Sequence, residues 1–571
     1  EFLLDETKAN ILGAMRCVGE TVSIATTELS TGTFALHQCA SNRLCDTLER
    51  LGLSEVIIGE DEEHLHKQMA LFGIAVTIRP AWMFAIDEAT TVLHKQFNVK
   101  TLEGFGLTID DERIGPAGAL LTYLKQTQAS ESGLPHLRPP YIKHETAFVS
   151  LDATTIRSLE IEQTMKGHTV EGSLLWVMQR CHTAMGKRLL RQWLCEPLAD
   201  KHRIEKRQSV VTHFLNDDES LRNTQHILDQ VQDVARIAGR ISMGRVTPRD
   251  IVALGKSIDV CNDLATLQNT PETKHIQSTL RSLSNTLVAL GRTIQTQCID
   301  APPAHMREGG LFRDGFDAQL DEARTLQRDA GSWLGKYQAQ LTESTGINTL
   351  KVGFNKVFGY YIEISHAQSI KAPDTFTRKQ TLKNAERYIT PELKEFENKV
   401  LSAESKALTR EHDLFAELCT QIASHISPIA TYADTVATLD VLTSFADTAK
   451  LYNYTKPTLV SEPIIEIKNG RHPVLDRMLQ EKFVPNDCSL TNETLALITG
   501  PNMAGKSTYI RQIALITLLA HTGSFVPAES ATIGMTDRIF TRVGASDELH
   551  TGQSTFMVEM VETANILNNA T

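Results

Sequence analysis

The chain has 571 residues, 41% of them hydrophobic and 22% charged, which predicts a water-soluble globular protein of several domains. No apolar run approaches the roughly 18 residues that a membrane helix needs, so we expect no membrane span. The net charge of −12 argues against a protein that is basic over its whole surface, but not against a local basic patch. Nine scattered cysteines without a C-x-x-C pair argue against a zinc site and predict a reducing, cytoplasmic location.

The first region, residues 1–145, has the pattern of an α/β domain. Runs rich in Val and Ile predict strands, and a turn at Ser30-Thr31-Gly32 joins the first two. The predicted strands cover residues 21–27, 33–39, 54–59 and 73–79, and a predicted helix covers residues 41–51. The Pro-, Ser- and Gly-bearing stretch 128–140 is interpreted as a linker. The N-terminus has neither Met nor a signal-like core, and we expect it to be a cut end.

The second region, residues 146–340, is predicted to consist of long helices. Apolar residues recur at spacings of three and four, as on one face of a helix, at Leu228, Val231, Val234, Ile237 and Ile241. Pro248 lies near the start of another predicted helix, residues 249–258, where proline is tolerated.

A strand-containing insert, residues 341–390, follows the long helices. Residues 361–364 alternate with period two, as a half-buried strand does. Helices return over residues 391–454, and Thr390 and Pro391 predict an N-cap and a first helical position. If the helices that flank the insert pair in antiparallel fashion, the insert lies at their far tip.

The last region, residues 455–571, is predicted to be α/β and contains a P-loop pattern, G-x-x-x-x-G-K-[ST]. The apolar run 495–499 predicts a strand before the loop, and Ile510, Ile513, Leu515 and Leu518 predict a helix after it. The nucleotide-binding candidates are Gly500, Pro501, Asn502, Met503, Ala504, Gly505, Lys506, Ser507 and Thr508. This combination predicts binding of ATP or ADP with Mg²⁺.

Each residue type in the loop has a physical reason. The glycines let the backbone approach a phosphate, and successive N–H groups point inward at the start of the helix. Lys506 is expected to reach the β- and γ-phosphates, and the Ser507 hydroxyl is expected to bind Mg²⁺.

Hydrolysis also needs a Walker-B acid at the end of an apolar strand. After Lys506 no four-residue apolar run ends in Asp-Glu, and Asp547-Glu548 follows a run that is not hydrophobic. We therefore expect the catalytic acid to lie beyond Thr571 and the chain to be deficient in hydrolysis.

Several segments resemble the MutS family of DNA mismatch-repair ATPases. Residues 499–509 resemble the family's P-loop, and residues 554–560 resemble its second ATPase motif. Its core domain is matched by residues 183–190 and 236–250, and its DNA clamp by residues 358–364 and 381–388. The resemblance spans essentially the whole chain in the family's order.

The resemblance implies a multidomain protein that combines α/β parts with an all-α part. Residues 1–145 would be an RNase H-like connector, and residues 146–340 a helical core with its levers. Residues 341–390 would be the DNA clamp, residues 391–454 the returning lever helices, and residues 455–571 a truncated ABC-type ATPase domain. The family's mismatch-reading domain uses a Phe-x-Glu motif, and the only such triplet here, Phe415-Ala416-Glu417, lies in a helical pattern. We therefore expect an internal fragment without that domain and without the second half of the ATPase domain.

The resemblance also implies site residues and partners. Ser554 would reach the partner's nucleotide across a homodimer formed through the ATPase domain, although it could also be a simple helix cap. Phe483 would pack near the adenine, with core filling as the alternative, and His472 is interpreted as structural. The implied partners are mismatched duplex DNA, which the protein would bind as a nucleotide-switched sliding clamp, and the repair protein MutL, in the cytoplasm at the nucleoid.

The clamp segment is locally basic. Residues 351–390 carry seven Lys or Arg and three acidic residues, a net charge of +4 in a chain of −12. This charge fits contacts with DNA phosphates, with a solvated basic face as the alternative. The candidate DNA contacts are Lys356, Lys371, Arg378, Lys379 and Lys383.

Two other functions stay open on the sequence. A MutS paralogue that acts on branched DNA or ribosomes would also lack the mismatch-reading domain, but the bacterial paralogue lacks a typical clamp. An unrelated ABC or P-loop module with a coiled-coil insertion would account for the P-loop alone. The connector, core and clamp motifs argue against that module.

Overall fold

The computed structural model describes residues 10–567 except 72–73, 129–133, 268, 356–358, 480–482, 492, 494, 502–503, 543–559, 561–562 and 565. The chain divides into two compact units. Unit 1 comprises residues 1–245, 256–289 and 423–571, and unit 2 comprises residues 246–255 and 290–422. The predicted mixture of α/β and helical parts is confirmed.

Unit 1 begins with a six-stranded sheet in the order β5-β4-β1-β2-β3-β6. Its strands are β1 (Ile11–Val18), β2 (Thr21–Glu28), β3 (Thr33–Ala40), β4 (Leu53–Gly59), β5 (Ala75–Arg79) and β6 (Tyr141–Ile142). Its helices are α1 (Leu44–Leu51), α2 (Glu63–Leu71), α3 (Ile86–Phe97) and α4 (Ile114–Gln128). Residues from α3 and α4 pack on one face of the sheet and residues from α1 and α2 on the other. The four predicted strands and the predicted helix are confirmed, with a 3-10 turn over Ser41–Arg43 opening the helix.

The turn between β2 and β3 is confirmed and is fixed by the segment that precedes β6. Gly32 has a φ of 73°, and a Cβ there would lie 2.0 Å from the carbonyl oxygen of His136. Leu134 and Leu137 are buried in the core of the sheet. The described part of the predicted linker is therefore packed against the domain.

Helices of five to 24 residues follow the sheet, with one short strand before them. The elements are β7 (Ser150–Leu151), α5 (Ala153–Ser158), α6 (Leu174–Met178), α7 (Ala184–Cys195), α8 (Lys201–Asn216), α9 (Asp218–Leu228), α10 (Val234–Ser242), α11 (Pro248–Asp259), α12 (Cys261–Leu267) and α13 (Lys274–Gln297). The helix predicted after Pro248 is confirmed as α11.

The helical face predicted through residues 228–241 is confirmed for Val234, Ile237 and Ile241 on α10, but it does not continue back to Leu228, because the chain turns between α9 and α10. The Asp233 carboxylate accepts a hydrogen bond from the Arg236 N–H at 3.3 Å and caps α10. The Gln232 N–H donates to the Ser257 hydroxyl at 2.9 Å. These side chains satisfy backbone donors that a continuous helix would have used internally.

Unit 2 contains two long helices and the strand-containing insert. The elements are α14 (Ala318–Thr345), β8 (Lys351–Asn355), β9 (Gly359–Ser365), β10 (Thr377–Thr381), β11 (Ala385–Ile389) and α15 (Pro391–Ala423). The four strands form one sheet in the order β10-β11-β9-β8, which we call the clamp sheet. The alternating burial of β9 confirms the predicted half-buried strand.

The two long helices of unit 2 are antiparallel, the arrangement under which the sequence places the insert at their far tip. Asp317 pairs with Arg410 near one end, whereas Tyr337 bonds to Thr390 near the other. The clamp sheet packs at this second end, where Trp333 stacks on Phe396. Thr390 is confirmed as an N-cap, because its hydroxyl accepts the Leu393 N–H at 3.1 Å.

The chain then returns to unit 1. The elements are α16 (Ile426–Tyr452), β12 (Thr458–Val460), β13 (Ile465–Gly470), α17 (Pro473–Met478), β14 (Asn486–Leu490), α18 (Lys506–Thr522), β15 (Ser530–Gly534) and β16 (Arg538–Ile539). A four-stranded sheet has the order β12-β15-β13-β14. Within the described residues, we find no helix whose length and apolar character would allow it to cross a bilayer.

Candidate functional site

The P-loop leads directly into α18, and Gly505 is the residue before its first turn. Gly505 has a φ of 84°, a left-handed conformation that residues with a Cβ rarely adopt. The Tyr509 N–H bonds to the Gly505 carbonyl at 2.9 Å and starts the helical ladder. The N–H groups of the first turn precede this bond, so they lie at the positive end of the helix dipole, where an anion is stabilised.

Lys506 folds over the loop. Its ammonium donates hydrogen bonds to the carbonyls of Gly500 and Pro501, each at 2.7 Å. Ser507 is exposed beside it, and Thr508 is half-buried in the same turn. The structure therefore brings together Gly500, Pro501, Ala504, Gly505, Lys506, Ser507 and Thr508, whereas Asn502 and Met503 lie outside the described residues.

Two contacts that the sequence analysis missed hold the first half of α18 in place. The Tyr509 hydroxyl donates to the Asp487 carbonyl of β14 at 2.8 Å, and burial together with the Cys488 thiol raises the pKa of Tyr509 to about 12. On another side, the Arg511 guanidinium lies 3.8 Å from the Glu160 carboxylate. The signal available in the sequence was a tyrosine and an arginine among the apolar positions of the helix.

The strand predicted over residues 495–499 is wrong. These residues form no strand, and Leu495 and Leu497 are 84% and 89% exposed. The apolar composition suits a buried strand, but none of the described strands pairs with this run. A strand needs ladder partners, which local sequence does not reveal.

Two further candidates lie outside the loop itself. Phe483 is half-buried, close before β14, and it is absent from the buried core of the described residues, which disfavours core filling. Ser554 lies outside the described residues, so its predicted role stays a prediction.

His472 has a structural contact, as the sequence analysis interpreted it. Its Nδ1 accepts the Leu475 N–H at 3.4 Å and caps α17, with Pro473 at the first helical position. Burial, helped by the nearby Arg511 charge, lowers the pKa of His472 from 6.5 to about 4. The buried imidazole is therefore neutral near pH 7.

This buried histidine predicts an acid-dependent loss of stability. As the pH falls below 6.5, the unfolded state binds a proton that the folded state does not bind until about pH 4. The contribution is fully present above pH 6.5 and should decrease by up to about 3 kcal/mol towards pH 4. His472→Asn keeps a capping acceptor but cannot titrate. The unmodified chain should therefore lose its advantage in unfolding midpoint over this variant as the pH falls. A difference that is constant between pH 7.5 and 4.5 would contradict this account.

The described candidates for DNA contact lie on β10 of the clamp sheet and on the segments that connect its strands. Lys371, Lys379 and Lys383 are exposed, and Lys356 lies outside the described residues. Arg378 is exposed as well, but its guanidinium pairs with the Glu386 carboxylate at 2.9 Å. Glu386 is buried and also accepts the Tyr388 hydroxyl. The alternation of β11 places Glu386 and Tyr388 on the buried face, a signal that the sequence analysis did not use.

A second cationic side chain of the clamp sheet is also engaged. The Arg387 guanidinium lies 4.0 Å from the centroid of the Tyr361 ring and 3.1 Å from the Glu363 carboxylate. The position of Arg387 is therefore fixed within the sheet.

Three protein-family models match successive regions of the chain. The models of MutS domain II, MutS domain III and MutS domain V match residues 10–138, 154–446 and 496–571. The chain is 44% identical over 557 residues to DNA mismatch repair protein MutS of Rhodopirellula baltica, which covers 97% of this chain and 62% of that protein. It is 40% identical to the MutS proteins of Alkaliphilus oremlandii and Protochlamydia amoebophila, covering all of this chain and 66% and 67% of those proteins.

This chain belongs to the MutS family. The P-loop and α18 fall within its match to MutS domain V, and α7, α8, the clamp sheet and most of α16 fall within its match to MutS domain III. The chain spans about two thirds of the length of these MutS relatives.

Proposed function

We propose that this MutS-family chain acts in DNA mismatch repair, with a nucleotide site at the P-loop and a duplex DNA surface on the clamp sheet. The proposal rests on one observation. The Lys506 ammonium and the start of α18 meet at the same loop, and this loop lies within the match to MutS domain V. The relatives are named DNA mismatch repair protein MutS, which supports the repair role.

At the nucleotide site, the phosphates of ATP or ADP take the place of the two carbonyls that Lys506 holds. The ammonium then contacts the β- and γ-phosphates, while the first-turn N–H groups of α18 bind phosphate oxygens. Phe483 packs near the base. Ser507 fits a magnesium ligand because its hydroxyl is exposed beside Lys506, and the bound ion would neutralise phosphate charge.

The proposal includes binding without turnover in this chain. The sequence after Lys506 contains no apolar run that ends in Asp-Glu, so no residue fits the role of the acid that holds Mg²⁺ and positions water. Measurable ATP hydrolysis that Lys506→Ala abolishes would overturn this part of the proposal.

For the whole protein we propose the family's assembly. Two copies associate through the ATPase region, and Ser554 contacts the nucleotide of the partner copy. Exchange of ADP for ATP converts the DNA-bound dimer into a sliding clamp, which recruits MutL. None of the nine cysteines, all of which the structure describes, forms a disulfide, which supports a reducing cytoplasmic location.

The DNA contact is tested by removing lysines from the clamp sheet. Replacing both Lys379 and Lys383 by alanine is expected to weaken duplex binding about tenfold at moderate salt, because each phosphate contact releases counterions. Fluorescence anisotropy with a labelled duplex over a range of salt should show a slope of log Kd against log salt that falls by about two.

Lys399→Ala with Lys406→Ala is the matched control, because both lysines are exposed on α15 outside the clamp sheet. This control should leave the salt slope unchanged. If both pairs of substitutions weaken duplex binding equally, the loss comes from removing positive charge in general and not from contacts at the clamp sheet. Preference for a four-way junction over a mismatched duplex would favour the paralogue function over mismatch repair.

A further inference from the structure

The far end of the P-loop helix is held by a half-buried arginine. Arg207, from α8, donates a hydrogen bond to the Thr522 carbonyl at 2.7 Å, at the last residue of α18. The next residue, Gly523, has a φ of 89° and ends the helix. A Cβ at Gly523 would lie 2.6 Å from the Arg207 Cβ, so glycine gives the arginine stem room to pass.

Among the described residues, no carboxylate pairs with the Arg207 guanidinium, so other groups must stabilise its charge. Burial lowers its pKa to about 9, and the neighbouring charge that acts on it is the like charge of Arg203. Its guanidinium carbon lies 3.2 Å from the centroid of the Trp193 ring of α7. The remaining stabilisation comes from the carbonyl end of α18, which is the negative end of the helix dipole.

A second contact joins the same end of α18 to the segment after α7. The Leu198 N–H donates to the His521 carbonyl at 3.0 Å, and His521 Nδ1 pairs with the Leu198 carbonyl at 2.7 Å. The Thr536 N–H donates to His521 Nε2, which assigns the proton to Nδ1. The helix end is therefore bonded to α8 and to the segment that follows α7.

The contacts continue into the longest helix of unit 1. The Trp193 ring lies 6.1 Å from the ring of Phe445 in α16. Arg207 thus lies between α18, whose opposite end carries the P-loop, and the packed helices α7, α8 and α16. A helix of 17 residues is about 25 Å long and moves as a stiff rod, so its two ends cannot shift independently.

We propose that Arg207 is a positioning residue of the nucleotide site. It fixes the negative end of α18 on α7 and α8, so nucleotide at the positive end and the packing of α7 and α8 are thermodynamically coupled. This inference rests on the proposed nucleotide site, because without bound phosphate there is nothing to couple. By linkage, the coupling acts in both directions.

The test combines nucleotide affinity with hydrogen exchange of the full 571-residue chain. A fluorescent ADP analogue reports the affinity, and exchange of the α7 and α8 amides is compared with and without that analogue. In the unmodified chain, nucleotide should slow exchange there about fivefold. In Arg207→Met, which keeps a stem but no charge, the slowing should disappear and nucleotide affinity should fall by no more than about fivefold, the size of the lost coupling.

The outcomes separate the coupling from a stabilising role alone. If Arg207 only stabilises the fold, exchange in Arg207→Met rises equally with and without nucleotide and the fivefold difference persists, which overturns the inference. Arg207→Lys keeps a donor for the Thr522 carbonyl and should retain part of the difference, and it replaces Arg207→Met if that variant does not fold. Absence of nucleotide binding by the unmodified chain would instead overturn the proposed nucleotide site.

Discussion

Replacing Asp440 with alanine is expected to lower the local free energy of unfolding in unit 1 by about 3–5 kcal/mol. Asp440 lies on α16, is fully buried, and its carboxylate accepts three hydrogen bonds from the start of α7. The donors are the His182 N–H at 2.9 Å, the Thr183 N–H at 2.8 Å and the Thr183 hydroxyl at 2.7 Å. Alanine would leave these donors buried and unpaired. Hydrogen exchange of the α7 and α16 amides measures the loss region by region.

A control on the same helix separates this effect from a general effect of removing a carboxylate. Asp434→Ala removes a side chain that is 60% exposed and pairs with Arg138, so it should cost less than about 1 kcal/mol. If both variants lose the same stability, the bonds from Asp440 to α7 do not determine the packing of α16.

Gly186 tests the same contact from the opposite side. A Cβ at Gly186 would lie 2.1 Å from Asp440 Oδ2, although the residue occupies an ordinary position inside α7. Gly186→Ala is therefore expected to displace the carboxylate and to destabilise α7, even though alanine is the better helix former. The family resemblance of residues 183–190 thus has a physical basis in a close approach of two helices.

The parts of the fold that the sequence predicted correctly are those that depend on residues close together in the chain. The start of α15 depends on the Thr390 hydroxyl, which accepts the N–H three residues later, and on Pro391 in the first turn. Both residues are visible in the sequence. The start of α18 likewise depends on Gly505 and on the spacing within the P-loop. Such elements need no information about distant residues.

Non-local contacts account for the failures. The run 495–499 has the composition of a strand, but strand formation requires a neighbouring strand, and none of the described strands pairs with it. The apolar spacing through residues 228–241 suits a helix, but the Ser257 hydroxyl binds a backbone donor between α9 and α10. Nothing near residue 232 in sequence indicates that Ser257 would be there.

Charged residues at the candidate sites show the same limit. The basic composition of the clamp segment predicted Arg378 as a DNA contact, but its guanidinium also pairs with the Glu386 carboxylate of the neighbouring strand β11. Arg207 lies in a polar stretch of α8, whose composition suggests an exposed surface, yet it is half-buried and its guanidinium packs on the Trp193 ring. Sequence predicts the presence of charge, whereas its partners follow from packing.

Lys506→Ala is expected to weaken nucleotide binding by at least tenfold and by up to about 100-fold. The estimate follows from losing charge-assisted hydrogen bonds to phosphate, each contributing about 1.5–3 kcal/mol. In the free chain the same ammonium bonds to the Gly500 and Pro501 carbonyls at 2.7 Å, so its removal should also speed hydrogen exchange in the loop. Equilibrium titration with a fluorescent ADP analogue measures the first effect, and exchange of the unliganded chain measures the second.

Two further variants test whether the loss of nucleotide affinity in Lys506→Ala arises at the P-loop. Lys468→Ala removes an exposed lysine from β13, outside the loop, and should leave nucleotide affinity unchanged. Lys506→Arg keeps the charge, but a planar guanidinium cannot reproduce the compact ammonium that bonds to two loop carbonyls, so an intermediate loss is expected. Wild-type affinity in Lys506→Ala would show that nucleotide binds elsewhere. Full affinity in Lys506→Arg would show that positive charge alone, rather than the geometry of the ammonium over the loop, determines binding.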